Sequence, residues 1–579
     1  MDQSAPPTGE LPLTAPARAA VLVEGAIWLA FLGATLFRWS IADRGLDFTD
    51  ESFALLAARH ARELTISPSL FFDYTGPLLT LAGGDIAAVR RLGILLFLAA
   101  SAVLALGLRT WMRPQVDPAV GRALFPIIGL GSLIYYSRGV SVPNYNHITA
   151  WGLATGFGLL LLTFRKRGWV AHLATALAGF ALAVAAGAKP PAVVAGLAAA
   201  VLVPMSGQGI AGLVALIAGA ATAVSISLVH RTPTELVDLL RSGTEFTVTR
   251  GYGYALLPAL RQYAVQTGQL LVQTGLFAAP SILVFFALRA RRPRLLGLLA
   301  PIGMLLGVLW VNDALLGGRS AARGGRTTAA ILAAILVCAL PSLIGASRSL
   351  AERKLVLAAL LLPALGALGT NTHFASALLL FLAPWFVIVP LLLESSTLGR
   401  ADRLARGALP ALIAAIAATT APYISPYGLT APFSEQTVAA TVGDPRTTIL
   451  TDRQTARFLG RLEAAARACG FVPGNDVIGL MDMPGFVFAL GGVSPAIAYY
   501  PREGDHVHQA IQMAMSRVPE DRLRRSFVLL NDHALRLGAF TVGGRAVPDD
   551  YDVCFDRDGP SKYGDMRVRL LKPRPPDRR

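Results

Sequence analysis

Residues 91–112 read RLGILLFLAASAVLALGLRTWM. From Leu92 to Leu108 the stretch carries no charge. Wound as a helix at about 1.5 Å per residue, a run of roughly 18–22 residues crosses a hydrocarbon layer about 30 Å thick. Similar runs recur as far as residue 424. Across all 579 residues, 54% are hydrophobic and 15% charged, and the mean hydropathy is +0.54. Ordinary soluble proteins are about 25% charged. A soluble enzyme, a disordered chain and a secreted disulfide scaffold are therefore excluded. The expected fold class is an all-α polytopic membrane protein carrying a small extracytoplasmic α/β C-terminal domain.

Hydropathy and breaker residues predict about thirteen transmembrane helices. They cover 20–39, 91–112, 122–137, 147–164, 169–187, 190–206, 209–229, 267–288, 295–312, 327–346, 355–369, 374–393 and 407–424. The net charge of +16 does not call for nucleic acid, because Lys and Arg gather in short loops. With the N-terminus inside, the cytoplasmic loops hold Arg165, Lys166 and Arg167, then Arg289, Arg291, Arg292 and Arg294, with smaller basic groups in the others. The short outer loops hold fewer, chiefly Arg319, Arg323 and Arg326. The predicted organisation is a cytoplasmic tail over 1–19, a transmembrane domain over 20–424 with outer loops 40–90 and 230–268, and an extracytoplasmic α/β domain over 425–579.

In that last region, a helix over Asp452 to Cys469 and strands at Phe527–Asn531 and Met566–Leu571 are predicted. Cys338 falls in an apolar run and reads as a small buried hydrophobe. Cys469 and Cys554 form one disulfide if the tail faces an oxidising compartment. No Walker motif, CxxC pair or His/Cys cluster is present, so neither nucleotide nor zinc chemistry is expected.

Between the first two spans the loop holds Asp47-Phe48-Thr49-Asp50-Glu51-Ser52-Phe53, then Phe71-Phe72-Asp73-Tyr74-Thr75-Gly76-Pro77-Leu78, and ends on Gly84-Asp85 and Arg90-Arg91. Adjacent carboxylates beside an apolar face are costly to desolvate. Three readings account for Asp50 and Glu51. A carboxylate in a partly dry site can take a proton as a general base. Oxygen ligands, with Asp43 and Asp47 nearby, suit a divalent cation. Thr49 or Asp50 can also simply cap a helix over Glu51–Arg62.

The order of these features resembles the GT-C superfamily of membrane glycosyltransferases, in the branch of the protein O-mannosyltransferases and the lipid A aminoarabinose transferase. There an acidic pair follows the first span, as Asp50-Glu51 does here. A Pro-Pro-Leu-like segment follows, which here is Gly76-Pro77-Leu78. The resemblance implies inverting transfer from a polyprenyl-phosphate sugar donor to a lipid, glycan or protein acceptor. The transfer would occur at the outer face of a bacterial inner (plasma) membrane, with membrane lipids as further partners and no resident cofactor. Asp50 and Glu51 would be catalytic.

A leaving phosphate needs cations. Lys189 before Pro190-Pro191, Arg138 after Tyr135-Tyr136, and His230-Arg231 are the candidates, with Tyr74, Asn144, Asn146 and Asn371 as further substrate-binding residues. Each has a plainer reading, as a snorkelling lysine, an interfacial belt or a loop polar group. Two rival functions remain at this level: a transporter or flippase for a lipid-linked sugar, and a non-catalytic membrane subunit.

Overall fold

The computed structural model describes residues 15–112, 116–164, 167–250, 256–289, 320–345, 349–369, 373–394, 399–424, 428–429, 431–501, 506–532, 534, 540–560 and 567–575. The first helices are α1 (Ala15–Ser40), α2 (Asp50–Arg59), α3 (Phe71–Leu81), α4 (Ile86–Met112), α5 (Pro118–Leu133), α6 (Tyr145–Thr163), α7 (Trp169–Ala188) and α8 (Val193–Val203). Then come α9 (Gly209–Leu228), α10 (Pro233–Thr249), α11 (Leu256–Arg289), α12 (Ser320–Gly345), α13 (Leu350–Ala367), α14 (Phe374–Leu378), α15 (Trp385–Glu394) and α16 (Arg400–Ile424).

Among the described residues, five helices are long and apolar enough to cross a membrane: Arg18–Ser40, Ile86–Met112, Pro118–Ser137, Trp169–Ala188 and Gly209–Leu228. A bent pair, Phe374–Phe381 with Trp385–Leu391, makes a sixth if counted as one span. The expected count of thirteen is not reached. Residues 190–206 do not form one span, because Pro190-Pro191 opens a 3-10 turn and α8 has only 11 residues. The 374–393 run is bent by 64°. Pro384 lies at that break, and a proline disfavours helical backbone in the residue before it. The run 295–312, Asn371, and the side chain of Cys338 lie outside the described residues.

Helix pairing follows from small residues. A Cβ on Gly219 of α9 would sit 1.8 Å from the Ala176 carbonyl of α7, so only glycine allows this backbone approach. Capping is local and readable. Asn144 accepts from the His147 N–H at the start of α6, and Thr232 and Glu235 form a capping box at the start of α10.

The tail contains β1 (Val438–Val442), β2 (Thr447–Thr451), α17 (Arg453–Ala468), β3 (Val477–Gly479), α18 (Pro484–Leu490), α19 (Val507–Met515), β4 (Phe527–Asn531), β5 (Phe540–Val542), β6 (Arg545–Val547), β7 (Tyr551–Asp558) and β8 (Arg567–Pro573). β1–β2 and β5–β6 are hairpins. A four-stranded sheet runs β3-β4-β8-β7, with β3 and β4 parallel and the other pairs antiparallel. Phe458, Leu459, Leu462 and Ala466 form the buried face of α17, which falls within the predicted helix over Asp452 to Cys469; Asp452 caps it by accepting from the Thr455 N–H. Cys469 and Cys554 form a disulfide. The β7–β8 register slips between Val553 and Phe555, so Cys554 is the extra residue of a bulge facing the end of α17. The two cysteines are 85 residues apart. Chain entropy then gives a contribution of roughly 4–5 kcal/mol, and Cys469→Ser should lower the tail's melting temperature accordingly. A melt unchanged by reductant would contradict this.

The tail does not hang free. Leu46, Phe48, Leu55 and Phe71, between α1 and α4, share one apolar core with Val442, Phe458, Phe486 and Phe488 of the tail. Phe48 stacks on Phe486 at 5.0 Å. Short ladders join Arg44 to Leu450 and Leu64 to Ala496. Arg522 bridges Glu63 of the loop and Asp476 of the tail, each at 2.7 Å. The tightest contact is at Gly485, whose N–H donates to the Phe48 carbonyl at 2.9 Å and whose added Cβ would lie 2.4 Å from the Phe48 Cα. Gly485→Ala should therefore cost about 1–3 kcal/mol by overpacking. Limited proteolysis should release the tail earlier than in the wild type, and an unchanged digestion pattern would refute the tight docking.

Candidate active site

The acidic pair divides between two tasks. Glu51 is buried, and its carboxylate takes both prongs of Arg90, Nε to Oε1 at 2.8 Å and Nη2 to Oε2 at 2.7 Å. The Asp47 N–H donates to the same Oε2 at 3.1 Å. Arg90 also donates to the carbonyls of Ala42, Arg44 and Gly45 at 2.7–3.0 Å. All five N–H groups of a guanidinium are thereby used. The pair ties the end of α1 and the start of α2 to α4.

The capping role that the sequence offers to Thr49 or Asp50 belongs to Asp47. Its Oδ1 accepts from the Thr49 N–H and hydroxyl, and its Oδ2 accepts from the Glu51 N–H. Thr49 makes no side-chain cap bond, and α2 begins at Asp50 and ends at Arg59, short of the predicted Arg62. Asp50 is half-buried in the first turn of α2. Its charge acts on Tyr135 of the turn after α5 and on Tyr499 of the tail.

Aromatic rings line this neighbourhood. Phe53 of α2 meets Phe71 of α3 at 5.6 Å and Tyr499 at 5.8 Å, and Phe71 meets Tyr145 of α6 at 6.1 Å. Burial, the Asp482 charge and a hydrogen bond to Asp482 push the Tyr499 phenol well above its usual pKa, so it stays neutral. Arg250, at the end of α10, acts on Tyr499 in the opposite sense. Met481 and Asp482 both hold positive φ, at 61° and 63°. Left-handed backbone at consecutive non-glycine residues is uncommon and often marks a functional site. Asp482 and Tyr499 escaped the sequence reading, which found no motif in Met481-Asp482-Met483-Pro484-Gly485. The φ values that single out this stretch have no one-dimensional signature.

The remaining candidates scatter. Lys189 is 3% exposed; its Nζ donates to Asn146 Oδ1 at 3.2 Å and to the Gly366 carbonyl, over the Phe381 ring. It therefore joins α6, α7 and α13. Lys189→Met should lower thermal stability while the single-turnover rate of the folded fraction holds. A rate loss on the order of 10²-fold in folded protein would restore the phosphate role.

Arg231 pairs with both Asp73 oxygens, at 2.8 and 3.0 Å, donates to the Ala61 carbonyl and lies over Phe72. His230 is exposed and meets Arg62 Nη2 at 3.1 Å. Tyr74 lies against Gly187, and burial pushes its pKa up to about 12. Asn144 accepts from Tyr135 Oη at 3.0 Å as well as capping α6. Arg138 is half-buried directly after the Tyr135-Tyr136 turn. Among the described residues, no group of three or more His, Cys, Asp or Glu side chains gathers to hold a metal. Searches of protein families, curated proteins and solved structures find no match to the chain.

Proposed function

We propose that the chain is an inverting glycosyltransferase that moves a sugar from a polyprenyl-phosphate donor to an envelope acceptor at the outer face of a bacterial inner membrane. The observation that carries this reading is the setting of Asp50. It starts a helix, is not needed as that helix's cap, and its charge reaches Tyr135 and Tyr499, the latter part of a ring cluster with Phe53, Phe71 and Tyr145. Rings of this kind suit the faces of a sugar, and a carboxylate among them suits proton removal from an acceptor hydroxyl. In this mechanism Asp50 takes the proton, the acceptor oxygen attacks the anomeric carbon, and the bond to the lipid phosphate breaks. Arg138 and Arg250 are the cations we assign to the departing phosphate. Glu51 positions α2 through Arg90 and does not touch substrate. The Cys469–Cys554 disulfide supports an oxidising, extracytoplasmic tail, and the gathering of Lys and Arg in the predicted inner loops supports a cytoplasmic N-terminus. The test is transfer of radiolabelled sugar from a polyprenyl-phosphate donor by the purified chain, compared with Asp50→Asn.

One observation favours a transporter or flippase instead: the 64° break between Phe374–Phe381 and Trp385–Leu391, since transporters use broken helices at their binding sites. Movement of a labelled lipid across vesicles without any glycosyl transfer would select that reading.

A further inference from the structure

Beside the Glu51–Arg90 pair lies a small, partly open pocket, with Arg38, Arg44, Asp47, Tyr136, Ser141 and Phe433 among its walls. Asp50 is not one of them. Arg38, in the last turn of α1, is 5% exposed. Its Nε and Nη1 have no hydrogen-bond partner among the described residues, and its Nη2 reaches only Ser141 Oγ at 3.5 Å. Its guanidinium lies 4.7 Å from the centre of the Tyr136 ring. Arg44 uses Nη1 on the Phe433 carbonyl, and its Nε is likewise without a partner. The two carboxylates in the pocket's walls are committed: Asp47 caps α2, and Glu51 is taken by Arg90.

A buried guanidinium with unused donors and no carboxylate of its own is strongly unfavourable unless an anion joins it. The open donors of buried Arg38, the unpartnered Nε of half-buried Arg44 and the Ser141 hydroxyl lie in more than one plane. That suits the several oxygens of a phosphate, which arginines hold in charge-assisted bonds. The site also lies at the end of a helix whose Leu29, Leu32 and Leu36 are exposed and apolar, next to a half-exposed Trp39 under Arg91. That combination marks the level where lipid headgroups lie.

We propose that Arg38, Arg44 and Ser141 form a phosphate-binding site, separate from Asp50 and occupied by a phosphate monoester at the outer membrane surface. The proposal stands whether or not Asp50 performs glycosyl transfer.

The full chain, purified in a maltoside detergent, is melted during titration with inorganic phosphate or with short-chain phosphatidate, against chloride at matched ionic strength. A saturable rise in melting temperature is expected, with at least tenfold weaker apparent affinity in Arg38→Met. The response should be intact in Asp50→Asn. A response to phosphatidate alone identifies a lipid headgroup, and a response to both probes alike identifies the phosphate group itself. If Arg38→Met does not fold, Arg44→Met combined with Ser141→Ala must show the same loss. No saturable response to either probe overturns the site, as does an unweakened response in the folded variants.

Discussion

Asp50→Asn should abolish sugar transfer in a protein that still inserts and melts like the wild type. Asn matches Asp in size but cannot accept the proton of an acceptor hydroxyl. Loss of a general base costs about 10²–10⁴-fold in rate. Folding should be spared because the cap of α2 is Asp47, so Asp50 is not the group that holds the helix start. Purified Asp50→Asn with near-wild-type turnover would remove Asp50 from the mechanism. Loss of the fold would instead make Asp50 structural. Asp482→Asn is the companion measurement. If the neutral Tyr499 is held for the sugar by Asp482, this variant should raise KM more than it lowers kcat.

The second large effect is on stability. Arg90→Met removes the partner of a buried carboxylate and leaves Glu51 charged in the dry base of the loop. Breaking such a pair costs about 3–5 kcal/mol. The carbonyls of Ala42, Arg44 and Gly45 lose their donor in the same step, and each buried unpaired group adds about 1–3 kcal/mol. Such a sum is a large share of an ordinary domain's stability, so Arg90→Met is expected to accumulate poorly or not at all. The double variant Arg90→Met with Glu51→Met should recover part of the loss, because no charge is then stranded. Expression and melting temperature of the two variants decide the matter. A single variant as stable as the wild type would mean that the pair does not hold the loop.

How legible this was depends on how far apart the interacting residues lie. The acidic pair was conspicuous, yet the division of labour within it was not. Glu51 and Arg90 are 39 residues apart and meet only when folding brings the start of α2 to α4. Lys189 looked like a lysine at a span end because its own neighbours are apolar. Its acceptors, Asn146 and Gly366, come from distant helices. The count of thirteen spans is not confirmed among the described residues, for a related reason. Windowed hydropathy measures composition, whereas a helix needs continuity: Pro384 breaks the 374–393 run, and the run opened by Pro190-Pro191 yields a helix of only 11 residues.

Local features could be read directly. The long apolar helices, the strand at Phe527–Asn531, the helix capped by Asp452, and the Cys469–Cys554 pairing all follow from spacing and residue type over a few turns or from the count of cysteines. Only the tertiary structure could place the tail on the segment between α1 and α4, bring Asp482 and Tyr499 to Asp50, and enclose Arg38 with open donors. Periodicity encodes which face of an element is buried. Which other element covers that face, and which charges are thereby left without water, is set by contacts between residues hundreds of positions apart.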